Sequence, residues 1–365
     1  MERRKFLTGA AIAAGAAGAS TVAAPAIAQA RKELAIVTTW PRDFPGLGIS
    51  AQRLAARIGE ISEGRFDVTY FAQGEKVGGF DHLDHVAAGD SQAYVAADYY
   101  WKSKHPAMAY FTAVPFGLTY AEIDAWMKYG GGQELHEKTV DQFGLYGFPC
   151  GNTGVQMGGW FNKEMESGDD FKGLKMRIPG LGGDVLAKLG ASPVSLPGGQ
   201  IYENLVSGAV DATEWVGPYN DYFMKFYEAA KYYYYPGMHE PGSQLHFNMN
   251  KSFWSGLSDG EKAIIKAACA EENAHQMAET NARNGEHLSK LINDHGVELR
   301  EFNDDIYDSF YEAAEEVFDE TRQHSDLANE VHESFLAFRA DVGRWMAAAE
   351  ATYLRQRNRT SGVEL

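Results

Sequence analysis

The stretch Glu33-Leu34-Ala35-Ile36-Val37-Thr38-Thr39 reads as a β-strand, and the alternation of helix and strand after it decides the fold. Residues 47–62 carry Leu47, Ala51, Leu54, Ile58 and Ile61 at helical spacing and end before Gly64. Phe66-Asp67-Val68-Thr69-Tyr70-Phe71 is a second strand, residues 80–88 form a short helix, and Ala93–Ala97 a third strand. Strands that alternate with helices predict an open α/β sheet, because each parallel return needs a crossover that covers a sheet face. Ligands on such sheets bind in crevices beyond the carboxyl ends of the strands.

The pattern repeats further along. A helix is expected over 121–140, strands at Leu145–Pro149, Gln156–Phe161 and Gly173–Ile178, and helices at 183–189 and Gln200–Val206. Asp211–Trp215 and Leu245–Met249 return as strands, and Tyr232–Tyr235 reads as a strand packed on both faces. From Ser258 the chain turns helical: Ser258-Asp259-Gly260-Glu261 is a capping box for a helix to about Ile292. Two more helices cover 304–324 and 326–354, the last with Val331, Phe335, Phe338, Val342 and Trp345 in a heptad-like seam. That seam suits either packing on the protein's own lobes or a dimer contact.

Arg3-Arg4-Lys5-Phe6-Leu7, an Ala/Gly-rich apolar stretch and Ala28-Gln29-Ala30 read as a twin-arginine export signal over residues 1–30. The formal charge is −17, from 33 Lys and Arg against 50 Asp and Glu; removing Glu2, Arg3, Arg4 and Lys5 leaves −19. So negative a chain is a poor partner for nucleic acid or an anionic membrane, although one buried arginine still suffices for a small anion. Cys150 and Cys269 show no metal or redox spacing and are expected as buried free thiols, with one disulfide in an oxidising compartment as the alternative. His82 and His85 have no third ligand, and no nucleophile elbow, phosphate loop or dinucleotide fingerprint is present.

Three segments carry the candidate chemistry. Gly151-Asn152-Thr153-Gly154-Val155-Gln156-Met157-Gly158-Gly159-Trp160 allows a tight crossing, with Asn152 and Gln156 offering amide groups. In Leu174-Lys175-Met176-Arg177-Ile178-Pro179 a guanidinium at a strand end suits a planar carboxylate; a surface arginine paired with a neighbouring acid is the bland alternative. In Val210-Asp211-Ala212-Thr213-Glu214-Trp215-Val216-Gly217-Pro218, Glu214 sits at a strand mouth where it could hold a hard cation, and Trp215 could wall a pocket. An exposed acid beside a core tryptophan would read the same way.

These segments, with Tyr99-Tyr100-Trp101 and Tyr232-Tyr233-Tyr234-Tyr235-Pro236-Gly237, resemble the solute-binding proteins of tripartite ATP-independent periplasmic (TRAP) transporters, and among them the branch that binds monocarboxylate 2-oxo acids such as pyruvate, with lactate binders nearby. The resemblance implies an α/β, two-lobed periplasmic binding protein fold with hinge-crossing strands and long C-terminal helices. Lobe I would comprise 31–153 and 243–300, lobe II 154–242, and the C-terminal helices 301–365. It implies that Arg177 salt-bridges the substrate carboxylate. It also implies one cation, Na+ or Ca2+, held by Gln156, Glu214, the Trp215 carbonyl and Glu240, with Asn152, Tyr100 and Tyr99 as further substrate contacts. The expected setting is the periplasm, with the small and large TRAP membrane subunits as partners, a homodimer through the C-terminal seam, and no turnover. An exported metal-dependent enzyme using Glu214, Glu240 and His239 is the alternative from another class.

Overall fold

The structure, a computed structural model, describes residues 31–363, so the expected export signal at 1–30 lies outside the described residues. The chain begins with β1 (Lys32–Thr38), α1 (Leu47–Ile61), β2 (Phe66–Phe71), α2 (His82–Ala87) and β3 (Ala93–Ala96). Two 3-10 turns, Asp98–Trp101 and Pro106–Phe111, lead to α3 (Tyr120–Tyr129), α4 (Gly132–Asp141), β4 (Leu145–Asn152), β5 (Gly159–Phe161) and β6 (Lys175–Arg177). Next come α5 (Gly180–Lys188), β7 (Ser192–Val194), α6 (Gly198–Val206), β8 (Ala212–Thr213), α7 (Pro218–Met224), β9 (Tyr232–Tyr235) and β10 (Gln244–Asn250). The chain ends in α8 (Lys251–Ser255), α9 (Asp259–His295), β11 (Glu298–Glu301), α10 (Asp304–Arg322), α11 (Asp326–Met346) and, after a π turn, α12 (Thr352–Ser361).

Two sheets result. The first runs β2-β1-β3-β10-β4, with β1 parallel to β2 and β3, and β10 antiparallel to β3 and β4. The second runs β11-β9-β5-β8-β6-β7. The chain passes between them after β4, after β9 and after α9, which makes the two-lobed α/β architecture. Leu34, Ile36 and Val37 are buried on β1, as expected of a central strand covered on both faces. On α1 the stripe Leu47, Ala51, Leu54, Ala55 and Ile58 faces the core, while Arg53 and Arg57 reach Glu272 and Glu271 of α9. α9 has 37 residues, starts on the Ser258–Glu261 capping box and ends at Gly296 in the left-handed region. At about 1.5 Å per residue it is long enough to run along both lobes, lying against β4 and α1 at one end and α7 at the other.

Several expectations are corrected. The helix expected over 121–140 is two helices, because Gly131 adopts φ +86° and the Trp126 indole covers Gly130 and Gly132. The strand expected from Gln156 begins only at Gly159: the N–H groups of Gln156, Met157 and Gly158 bond instead to the carbonyls of Glu240, Val216 and Tyr234. The strand expected at 211–215 is only Ala212–Thr213, and the last helical stretch continues to Ser361. β11 pairs in parallel with β9, so residues 298–300 share the second sheet, not the first lobe to which they were expected to belong.

The C-terminal helices divide their contacts. α10 packs on α5, and α11 packs on the Pro106–Phe111 turn, α3 and α4. Along the seam Val331 and Phe335 are fully buried and Phe338 and Val342 half-buried, whereas Trp345 is 68 % exposed. Cys150 and Cys269 are both buried and unpaired. Among the described residues no helix is long and apolar enough to cross a membrane.

Candidate functional site

The segments singled out from the sequence meet where the chain passes between the sheets. β6 and β8 are parallel neighbours, with Arg177 opposite Thr213, so Arg177 and Glu214 emerge side by side at their carboxyl ends. Gln156 lies on the crossing after β4, and His239 and Glu240 lie on the crossing after β9. Arg177, Glu214, Gln156, His239 and Glu240 are all buried, none more than 3 % exposed. Such polar residues persist in a core only where they satisfy one another or a ligand.

Arg177 pairs directly with the Glu214 carboxylate. Its Nη1 also donates to the Glu214 carbonyl at 3.2 Å and its Nε to the Leu196 carbonyl at 3.2 Å, leaving Nη2 without a partner. Burial works against the guanidinium charge, but Glu214 and then the tyrosine and Glu240 oxygens more than offset it, so its pKa lies above the ordinary arginine value. Its face lies 5.1 Å from the Trp215 ring, a cation–π contact. Trp215 is seated on Gly198, where a Cβ would come within 2.5 Å of the indole, and meets Phe44 of the first lobe edge-on at 6.1 Å.

The other carboxylate oxygen of Glu214 faces His239, whose Nε2 stands 3.2 Å from Oε2. Burial lowers the His239 pKa, yet the bond to Glu214 raises it above the ordinary value. Glu240 accepts from Gln156 Nε2 at 2.6 Å and from the Ser243 hydroxyl. Gln156 Nε2 also donates to Thr153 Oγ1 at 2.9 Å. Burial, and then the charge of Glu214, push the Glu240 carboxyl up to about 7. Two buried carboxylates therefore stand together with one guanidinium and one imidazole.

A cation fits this donor set. Donor atoms of Glu214, His239 and Glu240 lie within 4.8 Å of one another. Gln156 Oε1 and Glu240 Oε1 are both buried without any hydrogen-bond partner. Oxygen donors of this kind suit a hard cation, whose charge would offset the crowding that raises Glu240. A small cavity of about 10 Å³ borders the set, lined in part by Tyr99, Tyr100, Gln156, Trp215 and Glu240. Tyr99 and Tyr100 thus reach it from the first lobe, and burial raises both hydroxyl pKa values.

Asn152 does not line that cavity. Its Oδ1 accepts from the Gly154 N–H at 2.8 Å and shapes the crossing, while its Nδ2 has no partner. His239 stands beside Glu214 although sequence reasoning held it only for the enzyme alternative; its place next to Glu240 was the available signal. Asp221 was missed altogether. It accepts from Trp160 Nε1 at 2.9 Å, the Tyr233 hydroxyl at 2.7 Å and the Val216 N–H at 3.1 Å, and so steadies the segment after Glu214.

Two α/β lobes joined by crossing segments, with a buried anion-and-cation donor set between them, define a two-lobed solute-binding protein. The family model described as bacterial extracellular solute-binding protein, family 7 (DctP), matches residues 36–324, and the chain belongs to this family of extracytoplasmic TRAP solute-binding proteins. A monocarboxylate 2-oxoacid-binding periplasmic protein of Nostoc sp. is 41 % identical over 318 residues, 87 % of each chain. A TRAP periplasmic solute-binding protein of Colwellia psychrerythraea, solved with bound calcium and pyruvate, is 36 % identical with a TM-score of 0.86, covering 89 % of this chain and 99 % of its own. One of Pseudoalteromonas atlantica, solved with bound sodium and pyruvate, is 36 % identical with a TM-score of 0.85 and the same coverage.

Proposed function

We propose that this chain captures a small 2-oxo monocarboxylate of the pyruvate type in the periplasm and delivers it to the small and large membrane subunits of a TRAP transporter. The observation that carries this reading is the burial, in one place between the sheets, of Arg177 with an unpartnered Nη2 beside the Gln156, Glu214 and Glu240 oxygens. Arg177 would grip the acid's carboxylate through the N–H groups of its unpartnered Nη2. A Na+ or Ca2+ held by Gln156, Glu214, the Trp215 carbonyl and Glu240 would chelate the carboxylate and the 2-oxo oxygen. The name of the Nostoc relative supports the class of acid, and the Colwellia and Pseudoalteromonas structures, with pyruvate and calcium or sodium bound, support an acid held together with a cation. A monovalent anion and one cation among an arginine and two glutamates leave a nearly neutral site, which avoids an unpaired buried charge.

Tyr99, Tyr100 and Trp215 would wall the acid's methyl end, with Asn152 acting through the shape of the crossing. A 2-hydroxy acid such as lactate presents the same chelating pair and is the second reading. In either case the protein binds without turnover. The lobes would be 31–153 with 243–297, and 154–242 with 298–301, closing through the segments that cross between the sheets. The exposed end of the C-terminal helices, with Trp345, Tyr353 and Leu354, supports a homodimer contact.

Calorimetric titration with pyruvate, lactate and a dicarboxylate, each with and without chelator, tests this reading. Saturable, cation-dependent binding of pyruvate with unchanged ligand recovered is expected. Conversion of the acid to a product, or binding unchanged when calcium is chelated and sodium is replaced by a bulky organic cation, would overturn it.

A further inference from the structure

Asp98 opens the 3-10 turn Asp98–Trp101, whose next two residues, Tyr99 and Tyr100, line the small cavity beside Gln156 and Glu240. Its carboxylate is fully buried and faces inward. Oδ2 lies 2.8 Å from Nε2 of His136 on α4 and 3.3 Å from Nδ1 of His246 on β10. Oδ1 accepts from Asn248 Nδ2 at 2.8 Å, and the same amide reaches the Tyr94 hydroxyl of β3 at 3.0 Å. The two imidazoles stack with centroids 4.2 Å apart, and Phe111 meets His136 edge-on at 5.0 Å. Among the described residues no lysine or arginine pairs with Asp98.

Burial raises the Asp98 pKa, but the imidazoles and Asn248 bring it below the ordinary value. Burial, and then His136, press His246 down to about 3. The group is therefore a buried carboxylate held by hydrogen bonds from His136 and Asn248, which is tolerable only while each bond is made. A metal does not suit it. The 2.8 Å contact is an N–H···O length, whereas ligands on a tetrahedral ion at about 2.0–2.1 Å stand roughly 3.3 Å apart.

The turn so fastened meets the second lobe. The Tyr99 ring covers Gly180, the first residue of α5, where a Cβ would lie 3.3 Å from the ring. Tyr100 stacks on Phe80 at 4.3 Å, and Lys102, directly after the turn, pairs with Asp184 of α5. An outer chamber of about 260 Å³ lies against the same residues, lined in part by Tyr99, Tyr100, Lys102, Gly180 and Asp184.

We propose that Asp98, fastened by His136 and Asn248 with His246 packed alongside, is the positioning residue that holds the Tyr99–Tyr100 wall and its contact with α5, and thereby sets the affinity of the site for its acid. The proposal rests on the acid-binding reading for its affinity readout, so the test carries a second readout that needs no ligand. Asp98→Asn replaces one of the two carboxylate acceptors with an amide donor, which must face either the Asn248 amide or the His136 ring. It should weaken pyruvate binding about tenfold by calorimetry, a difference of about 1.4 kcal/mol, and speed hydrogen exchange at residues 99–102 while leaving α1 and β2 as in the wild type. Exchanging the pair, Asp98→Asn with Asn248→Asp, restores an acceptor opposite a donor and should recover most of the affinity. His136→Phe, which keeps the stacking and deletes one bond, is read in the same way should Asp98→Asn not fold. Wild-type protein that ignores pyruvate strikes the acid-binding reading, and the exchange rates then decide this proposal. Unchanged exchange at 99–102, or wild-type affinity in a variant that is merely less heat-stable, overturns it. So does one equivalent of zinc in the wild type that is lost from Asp98→Asn.

Discussion

Arg177 and Glu214 are bonded in both directions. The Glu214 N–H donates to the Arg177 carbonyl at 3.2 Å, Arg177 Nη1 donates to the Glu214 carbonyl at 3.2 Å, and the same Nη1 pairs with the Glu214 carboxylate. The two strand ends are thus locked in register, and the guanidinium is oriented before any ligand arrives. Preorganisation of this kind lowers the cost of ordering a long side chain on binding.

Arg177→Ala removes both the proposed carboxylate grip and the partner of a buried glutamate. Truncating one member of a buried charge pair typically costs about 2–5 kcal/mol of binding. Calorimetry with pyruvate should show that loss, and Arg177→Lys should recover only part of it, because an ammonium lacks the planar fork. Affinity within a factor of about two of wild type, well under 1 kcal/mol, would remove Arg177 from the site.

Gly198 carries no side chain because the Trp215 indole occupies the place of its Cβ, 2.5 Å away. Gly198→Ala should therefore push Trp215 off the Arg177 face and toward the cavity. The expected result is weaker acid binding with a shifted tryptophan emission and a modest fall in melting temperature. An unaltered emission spectrum together with unaltered affinity would show that the indole has room to move.

Burial pushes the Asp221 carboxyl from its ordinary 3.8 up to about 7, against the pull of the Trp160, Tyr233 and Val216 donors. A group that holds its proton more tightly folded than unfolded contributes stability below its unfolded pKa and loses it as pH rises through the folded one. The melting temperature should fall between about pH 4 and about pH 7, and Asp221→Asn, which cannot titrate, should flatten that part of the profile. Parallel profiles for the two proteins would refute the assignment.

The β-α-β-α-β opening was legible because Ile36, Val37 and their neighbours form an apolar run and α1 carries an unbroken 3.6-residue stripe. Arg177 and Glu214 were legible as charged groups at the ends of apolar strands and Gln156 as an amide in a glycine-rich crossing, while their joint role came from the resemblance to TRAP solute-binding proteins. β11 was not: Glu298-Leu299-Arg300-Glu301 is an edge strand with charged residues and no alternation to mark it. Nor was the fastening of Asp98. His136 and His246 lie on separate elements far apart in the chain, and each alone reads as an ordinary buried histidine. Only the folded lobe, with β10 between β3 and β4 and α4 packed on β4, brings them to one carboxylate.

The C-terminal seam is half satisfied within the chain. Val331 and Phe335 pack on the first lobe, while Trp345 and Tyr353 are 68 % and 66 % exposed. Large aromatics on one end of a long helix favour a partner surface. Light scattering should report a dimer for the full chain and a monomer for Trp345→Ser combined with Tyr353→Ser, with pyruvate affinity unchanged in both. A monomeric full chain at micromolar concentration would discard the dimer.

Glu214 and Glu240 make the cation testable apart from the acid. Burial, and then the neighbouring charge of Glu214, push Glu240 up to about 7, and an ion between the two carboxylates would favour its charged form. Protein dialysed against metal-free buffer should retain about one equivalent of Na+ or Ca2+ by elemental analysis if the oxygen set closes around it. Glu214→Gln keeps the side-chain shape but removes a charge, and it should lose that ion and with it the pyruvate affinity. Calcium added back in excess should rescue Glu240→Gln more fully than Glu214→Gln, because Glu214 also holds Arg177 and His239 in place. Stoichiometric metal retained in the Glu214→Gln, Glu240→Gln double variant would locate the ion elsewhere in the molecule.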